Sequence, residues 1–93
     1  MALISAEIKL RRVEAHGQCI QFHLDHLATR VMQVPLNADD EYVGGRLMYA
    51  THSGMLQPAR PAGSATIHDN TVAHGVSEMV SGVRYGLYFL SRV

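Results

Sequence analysis

Strand-length apolar segments recur along this chain at short intervals, each closed off by turn-forming residues, and that rhythm points to β structure before anything else. The segments are AEIKLRRVEA (6–15), QCIQFHL (18–24), TRVMQVPL (29–36), GRLMYAT (45–51), a brief GMLQ (54–57), SATIHD (64–69), VAHGVSEMV (72–80) and VRYGLYFL (83–90). Between them stand NADDEYVGG, QPARPAG and SG, rich in the residues whose side chains and backbone freedom serve turns. No window carries the 3.6-residue period of an amphipathic helix, and there is no repeat, linker or low-complexity tract. Eight short strands spaced this closely predict an all-β jelly roll, two sheets joined by Greek-key connections.

Composition limits the partners. The 93 residues are expected to make one domain, 1–93, and hydrophobic residues at 47% are enough to give it a core. Eight acidic residues balance eight basic ones with no run of either sign, so nucleic acid is not an expected partner. A single cysteine, Cys19, excludes an intrachain disulfide and a cysteine-built zinc site. The N-terminus MALISAEIKLRR lacks the basic start and long apolar run of a signal peptide. No stretch approaches the roughly 20 apolar residues of a membrane helix, so no membrane partner and a cytoplasmic location are expected.

Period-two alternation sorts the faces of the two most apolar strands. In VRYGLYFL, Val83, Tyr85, Leu87 and Phe89 share one side, and Arg84, Gly86, Tyr88 and Leu90 share the other. In TRVMQVPL, Met32, Val34 and Leu36 oppose Val31, Gln33 and Pro35. A strand apolar on both faces is covered on both faces. One cover is the facing sheet; the other must come from a segment that this sequence does not supply. The same strand raises a second question, because Arg84 sits on its inward side and a buried guanidinium calls for a negative partner.

The segment FHLDH places His23 and Asp25 two residues apart, which on a strand brings imidazole and carboxylate to one face. Two histidines and one carboxylate make a facial triad that holds Fe(II) and leaves positions open for oxygen chemistry. His74 in VAHGVSEMV is the candidate for the second histidine. Arg84, ten residues later, then gains a role: an acid chelating the iron would present a distal carboxylate that a planar guanidinium can clamp.

The ordered set His23-x-Asp25, Gly44-Gly45, His74 and Arg84 resembles the Fe(II)/2-oxoglutarate dioxygenases, in particular their prolyl-4-hydroxylase-like branch. The similarity runs from QFHLDH to the C-terminus and takes in LNADDEYVGGRLMYA and PAGSATIHDNTVAHGVSEMVSGVRYGL. The resemblance implies a double-stranded β-helix, the cupin-like jelly roll. It implies Fe(II) on His23, Asp25 and His74, and 2-oxoglutarate anchored through its C5 carboxylate by Arg84. It further implies O2 as the co-reactant, ascorbate as an accessory, and hydroxylation of a peptide, a protein or a small molecule, with peptidyl proline favoured.

The sequence also departs from that branch. The tyrosine that commonly precedes the H-x-D motif is missing, and where a hydroxyl often helps to hold the cosubstrate, Gln33 is the nearest inward polar residue. Leu90 stands six residues after Arg84, where nucleic-acid demethylases of the family carry a second arginine. The helices that precede the β core and pack on its large sheet are largely absent here. That makes the C-terminal part of a larger protein the expectation, with an apolar face free for an N-terminal region or for self-association. Two rivals stand beside the enzyme: an inactive or truncated jelly-roll binding module of the same family, and a cupin-like metal-binding or isomerase domain, which would have no use for Arg84.

The remaining histidines, His16, His26, His52 and His68, receive no metal role; His68-Asp69 is expected to be structural, at a strand end and turn. Gly44-Gly45 is expected to turn the chain into its next strand, and Asp39, Asp40 and Glu41 to form a solvated turn. Tyr85, Tyr88 and Phe89 are expected to pack in the core or against helices.

Overall fold

A computed structural model describes residues 5–15, 19–25 and 28–92 of the chain. Among these residues nine strands follow one another, with one 3-10 turn at Asp39–Glu41: β1 (Ser5–Glu14), β2 (Ile20–His23), β3 (Arg30–Pro35), β4 (Tyr42–Gly44), β5 (Leu47–Thr51), β6 (Gly54–Leu56), β7 (Thr66–Asp69), β8 (His74–Val76) and β9 (Met79–Arg92). The larger sheet has the order β1-β9-β3-β7, with β4 paired to the start of β9, and the smaller has the order β2-β8-β5-β6. Every pairing is antiparallel and most join strands distant in sequence. This is the jelly roll the sequence implies.

Two boundaries differ from the expectation. The segment read as the NADDEYVGG turn contains a ninth strand, β4, which the acidic turn residues around it conceal. The Ser81-Gly82 turn does not separate two strands: the break falls instead at Ser77-Glu78, inside the segment expected as one strand over 72–80, and β9 runs through Ser81-Gly82 for 14 residues. Gly82 has φ +85°, and a Cβ there would lie 2.5 Å from the Glu41 carbonyl oxygen, so glycine lets the strand bend under β4 without breaking.

The alternation inferred from the sequence is realised. Along β3, Val31, Gln33 and Pro35 are buried while Met32 and Val34 are partly covered. In β9, Arg84 and Gly86 are buried and Tyr85 is exposed. From the facing sheet come Leu47 and Tyr49 of β5 and His74 of β8, all buried. The interior is unusually polar for a small β domain, since Gln33, Arg60, His68, His74 and Arg84 all lie within it. Buried polar groups are costly unless partnered, so this interior is built around chemistry as well as packing.

The outer face of the large sheet is apolar and open. Register places Ile8, Phe89, Met32 and Ile67 in one cross-strand row, and Leu10, Leu87 and Val34 in the next. Ile8, Leu10 and Ile67 are 67%, 69% and 67% exposed. Adjacent cross-strand side chains form one continuous surface.

Candidate metal centre

His23 closes β2, and Asp25 follows two residues later, just beyond the last paired position. The expectation that both would stand on a strand is corrected to that extent, yet their side chains still meet: His23 Nε2 is 3.5 Å from Asp25 Oδ1. His74 opens β8 directly opposite His23 in the antiparallel ladder. Its Nε2 is 3.2 Å from Asp25 Oδ2. One ligand atom from each of the three residues lies within 4.8 Å of the others, a spacing that can hold a metal ion. Gly75 lets the strands close up here, because a Cβ at that position would sit 2.9 Å from the Ile20 carbonyl oxygen.

The hydrogen bonds around the rings fix what the cluster offers. His23 Nδ1–H donates to the Gln21 carbonyl at 2.8 Å, and His74 Nδ1–H donates to the Val72 carbonyl at 3.0 Å. Each ring spends its Nδ1 proton on a backbone carbonyl two residues back, which leaves the Nε2 lone pair facing inward. Burial pushes the His74 pKa below the usual histidine value, against the pull of the Val72 carbonyl and of Asp25, so this ring is held neutral. Lone pairs from two imidazoles and a carboxylate then converge, an arrangement that repels itself unless a cation sits among them. The donor set suits Fe(II): two imidazole nitrogens and one carboxylate on one side, oriented by carbonyl partners.

His68, expected to be merely structural, enters the same cluster. It lies on β7 across from Val31, points inward and is 5% exposed. Its Nε2–H donates to Asp25 Oδ2 at 2.8 Å, and its Nδ1 accepts from the Tyr49 hydroxyl at 3.2 Å. The chain Tyr49–His68–Asp25 ties both sheets to the carboxylate and restricts its rotation. The sequence held one signal of this: in TIHD, Ile67 would face out whenever Thr66 and His68 face in. His52 is exposed in a turn, and His16 and His26 lie outside the described residues.

A cavity of about 200 Å³ opens beside the cluster, lined by His23, Asp25, His74, Gln33, Tyr88 and Leu90 among others. Gln33 is 5% exposed, and its Oε1 has no hydrogen-bond partner. Arg84 is 4% exposed, and its Nε is likewise buried without a partner. It lines an adjoining cleft that shares Arg11, Ile20 and Val76 with the metal-side cavity. Gly45, at φ +61°, lies against it, and a Cβ there would come within 3.5 Å of Arg84 Nε. The missing side chain keeps space beside the guanidinium. Arg11 sits over the Tyr88 ring, 5.5 Å from its centroid, and adds positive charge to the same walls.

No family model and no curated protein matches the sequence. Solved structures do match. A 2OG-Fe(II) oxygenase family oxidoreductase from Burkholderia pseudomallei superposes with a TM-score of 0.78 at 15% identity, over 95% of this chain and 43% of that one. This chain shares its fold. A Pseudomonas putida prolyl-4-hydroxylase matches at TM-score 0.77 and 19% identity, over 94% of this chain and 51% of that one. A Trichoplax adhaerens prolyl hydroxylase, solved with a hypoxia inducible factor peptide fragment, matches at TM-score 0.74 and 14% identity, over 94% and 44%. The shared fold covers nearly all of this chain, which spans about half the length of these structures or less. The expected double-stranded β-helix stands.

Proposed function

We propose that this chain is the β core, a single domain, of a non-haem Fe(II)/2-oxoglutarate-dependent oxygenase. The observation that supports this best is the pairing of two arrangements in one interior. His23, Asp25 and His74 turn bare lone pairs toward one point, and Arg84 stands buried and unpaired in the adjoining cleft. A jelly roll that bound metal for another purpose would have no reason to retain that guanidinium.

In this reading His23, Asp25 and His74 hold the iron, and His68 holds Asp25. Arg84 takes the distal carboxylate of 2-oxoglutarate, the Gln33 amide lends a further polar contact, and Tyr88 and Leu90 wall the cavity against water. When bound, iron with 2-oxoglutarate and O2 supplies oxidative decarboxylation to succinate and CO2, coupled to hydroxylation of a C–H bond. The protein's own contribution is orientation and exclusion of water.

Peptidyl proline is the substrate we favour, by analogy with the prolyl hydroxylases that share the fold. No residue of the site argues for ascorbate, and it forms no part of the reading. Among the described residues no helix is long and apolar enough to cross a membrane. We place the protein in the cytoplasm, a reducing compartment compatible with its free, exposed Cys19. The test is succinate formation from 2-oxoglutarate, with and without Fe(II), in the presence of proline-containing peptides. Iron-dependent succinate that rises with peptide supports the proposal. Well-folded, iron-loaded protein that forms none favours a binding module on the same scaffold.

A further inference from the structure

Arg60 lies in the loop between β6 and β7, where the sequence gives only the turn-like run QPARPAG. It is nonetheless 7% exposed. The loop is fixed in place: Gly63 N–H donates to the Pro35 carbonyl at 2.8 Å, and Ser64 N–H to the Pro61 carbonyl at 3.0 Å. Among the described residues, four buried side-chain polar atoms lack a partner: Gln33 Oε1, Thr66 Oγ1, Arg84 Nε and Arg60 Nε. Gln33 and Thr66 stand opposite each other on β3 and β7. The two arginines line separate clefts, and Gly45 lines both.

Neither guanidinium has a hydrogen bond or ion pair with another described residue. The groups acting on Arg60 are burial, which lowers its pKa, then the Tyr88 phenol and the positive charge of Arg84. Asp39, the acid that shares the Arg60 cleft, is engaged by Arg46 at 3.3 Å. Two buried cations without an anion between them oppose folding. Such an arrangement persists where a ligand supplies the missing charge, and a planar guanidinium is the side chain best shaped to grip an oxyanion.

We propose that Arg60 and Arg84 together form a two-guanidinium subsite for the oxyanion end of the bound acid, with Arg60 as a specificity-determining residue. The inference rests on the 2-oxoglutarate reading above and deepens it. The distal carboxylate is gripped from two sides, so the protein selects strongly for diacids over 2-oxo monoacids of similar length. It also accepts a doubly charged phosphonate in place of that carboxylate.

The test compares wild type with Arg60→Met, Arg60→Lys and Arg84→Met in anaerobic, Fe(II)-loaded protein titrated with 2-oxoglutarate, alongside melting of the ligand-free forms. Arg60→Met should weaken 2-oxoglutarate about 10- to 100-fold, the loss expected for charge-assisted hydrogen bonds. Iron affinity should stay at the wild-type value, and Arg60→Lys should fall between. Ligand-free Arg60→Met should melt higher than wild type, because a buried uncompensated charge has been replaced by an apolar chain of similar volume. A merely structural arginine would give the opposite: a lower melting point with unchanged 2-oxoglutarate binding, and that result overturns the inference. If Arg84→Met weakens 2-oxoglutarate while Arg60→Met and Arg60→Lys bind like wild type, the subsite has one arginine and the parent reading stands. If wild type binds no 2-oxoglutarate, the parent reading fails, and calorimetry with inorganic phosphate decides the subsite alone. Phosphate bound by wild type and lost in Arg60→Met supports it; phosphate bound equally, or by neither, overturns it.

Discussion

Replacing His68 by phenylalanine keeps the ring volume and removes two hydrogen bonds whose geometry is known. The ring is 5% exposed, 2.8 Å from Asp25 Oδ2 through Nε2 and 3.2 Å from the Tyr49 hydroxyl through Nδ1. A hydrogen bond to a carboxylate contributes roughly 1.5–3 kcal/mol, and a buried hydroxyl left without its partner costs about 1–3 kcal/mol. The Asp25 side chain is 20% exposed, so water recovers part of its loss. Together these give a destabilisation of about 2–4 kcal/mol. In a domain of this size each kcal/mol moves Tm by roughly 4–8 °C, so the ligand-free variant should melt about 8–32 °C lower. Tyr49→Phe removes only the outer bond and should cost about 1 kcal/mol. The second readout is metal. With its carboxylate free to rotate, the cluster should bind a divalent probe such as Co(II) about 10- to 100-fold more weakly. Thermal unfolding followed by circular dichroism, with a competitive Co(II) titration, reads both. A His68→Phe protein that melts and binds metal like wild type would show that the ring only fills space.

Asp25→Ala and His74→Ala should each abolish iron binding while leaving the β circular dichroism spectrum largely intact, since the sheets are made by other residues; wild-type iron stoichiometry in either would sink the triad. Gly82→Ala should lower stability by more than about 2 kcal/mol, because its Cβ would meet Glu41 O at 2.5 Å and Tyr42 Cα at 2.8 Å in addition to the positive φ; a denaturation midpoint unchanged from wild type would contradict the bend assigned to it. The 93-residue chain should self-associate through its open face. The double substitution Ile8→Lys and Leu10→Lys should make it monomeric in sedimentation without altering metal affinity; a wild-type monomer with no dye-accessible apolar surface would refute this.

Most of the fold was legible because strands announce themselves through period-two alternation, which β3 keeps throughout and β9 shows clearly from Arg84 to Gly86. What escaped was set by geometry that local pattern does not carry. Strand β4 hides Tyr42 and Val43 among turn residues, and its pairing to β9 depends on a bend that only Gly82 permits. Of the site, the H-x-D spacing, His74 and Arg84 could be read directly, because each belongs to one ordered set. His68 could not, since its inward face is fixed by pairing with Val31, 37 positions earlier. Arg60 gave no signal at all: a loop arginine becomes buried only through the anchoring of its loop on Pro35, and nothing in QPARPAG reports that contact.

The central claim is that one interior holds both an iron triad and a clamp for a chelating 2-oxo acid, and one spectroscopic measurement addresses both halves. Wild-type protein is loaded with Fe(II) without oxygen and titrated with 2-oxoglutarate, while the visible region is watched for the weak charge-transfer band of the iron chelate. The account predicts a saturable band at one equivalent of iron, absent in Asp25→Ala and shifted to much higher 2-oxoglutarate concentration in Arg84→Gln. Folded protein that binds iron yet develops no band at any 2-oxoglutarate concentration would contradict it.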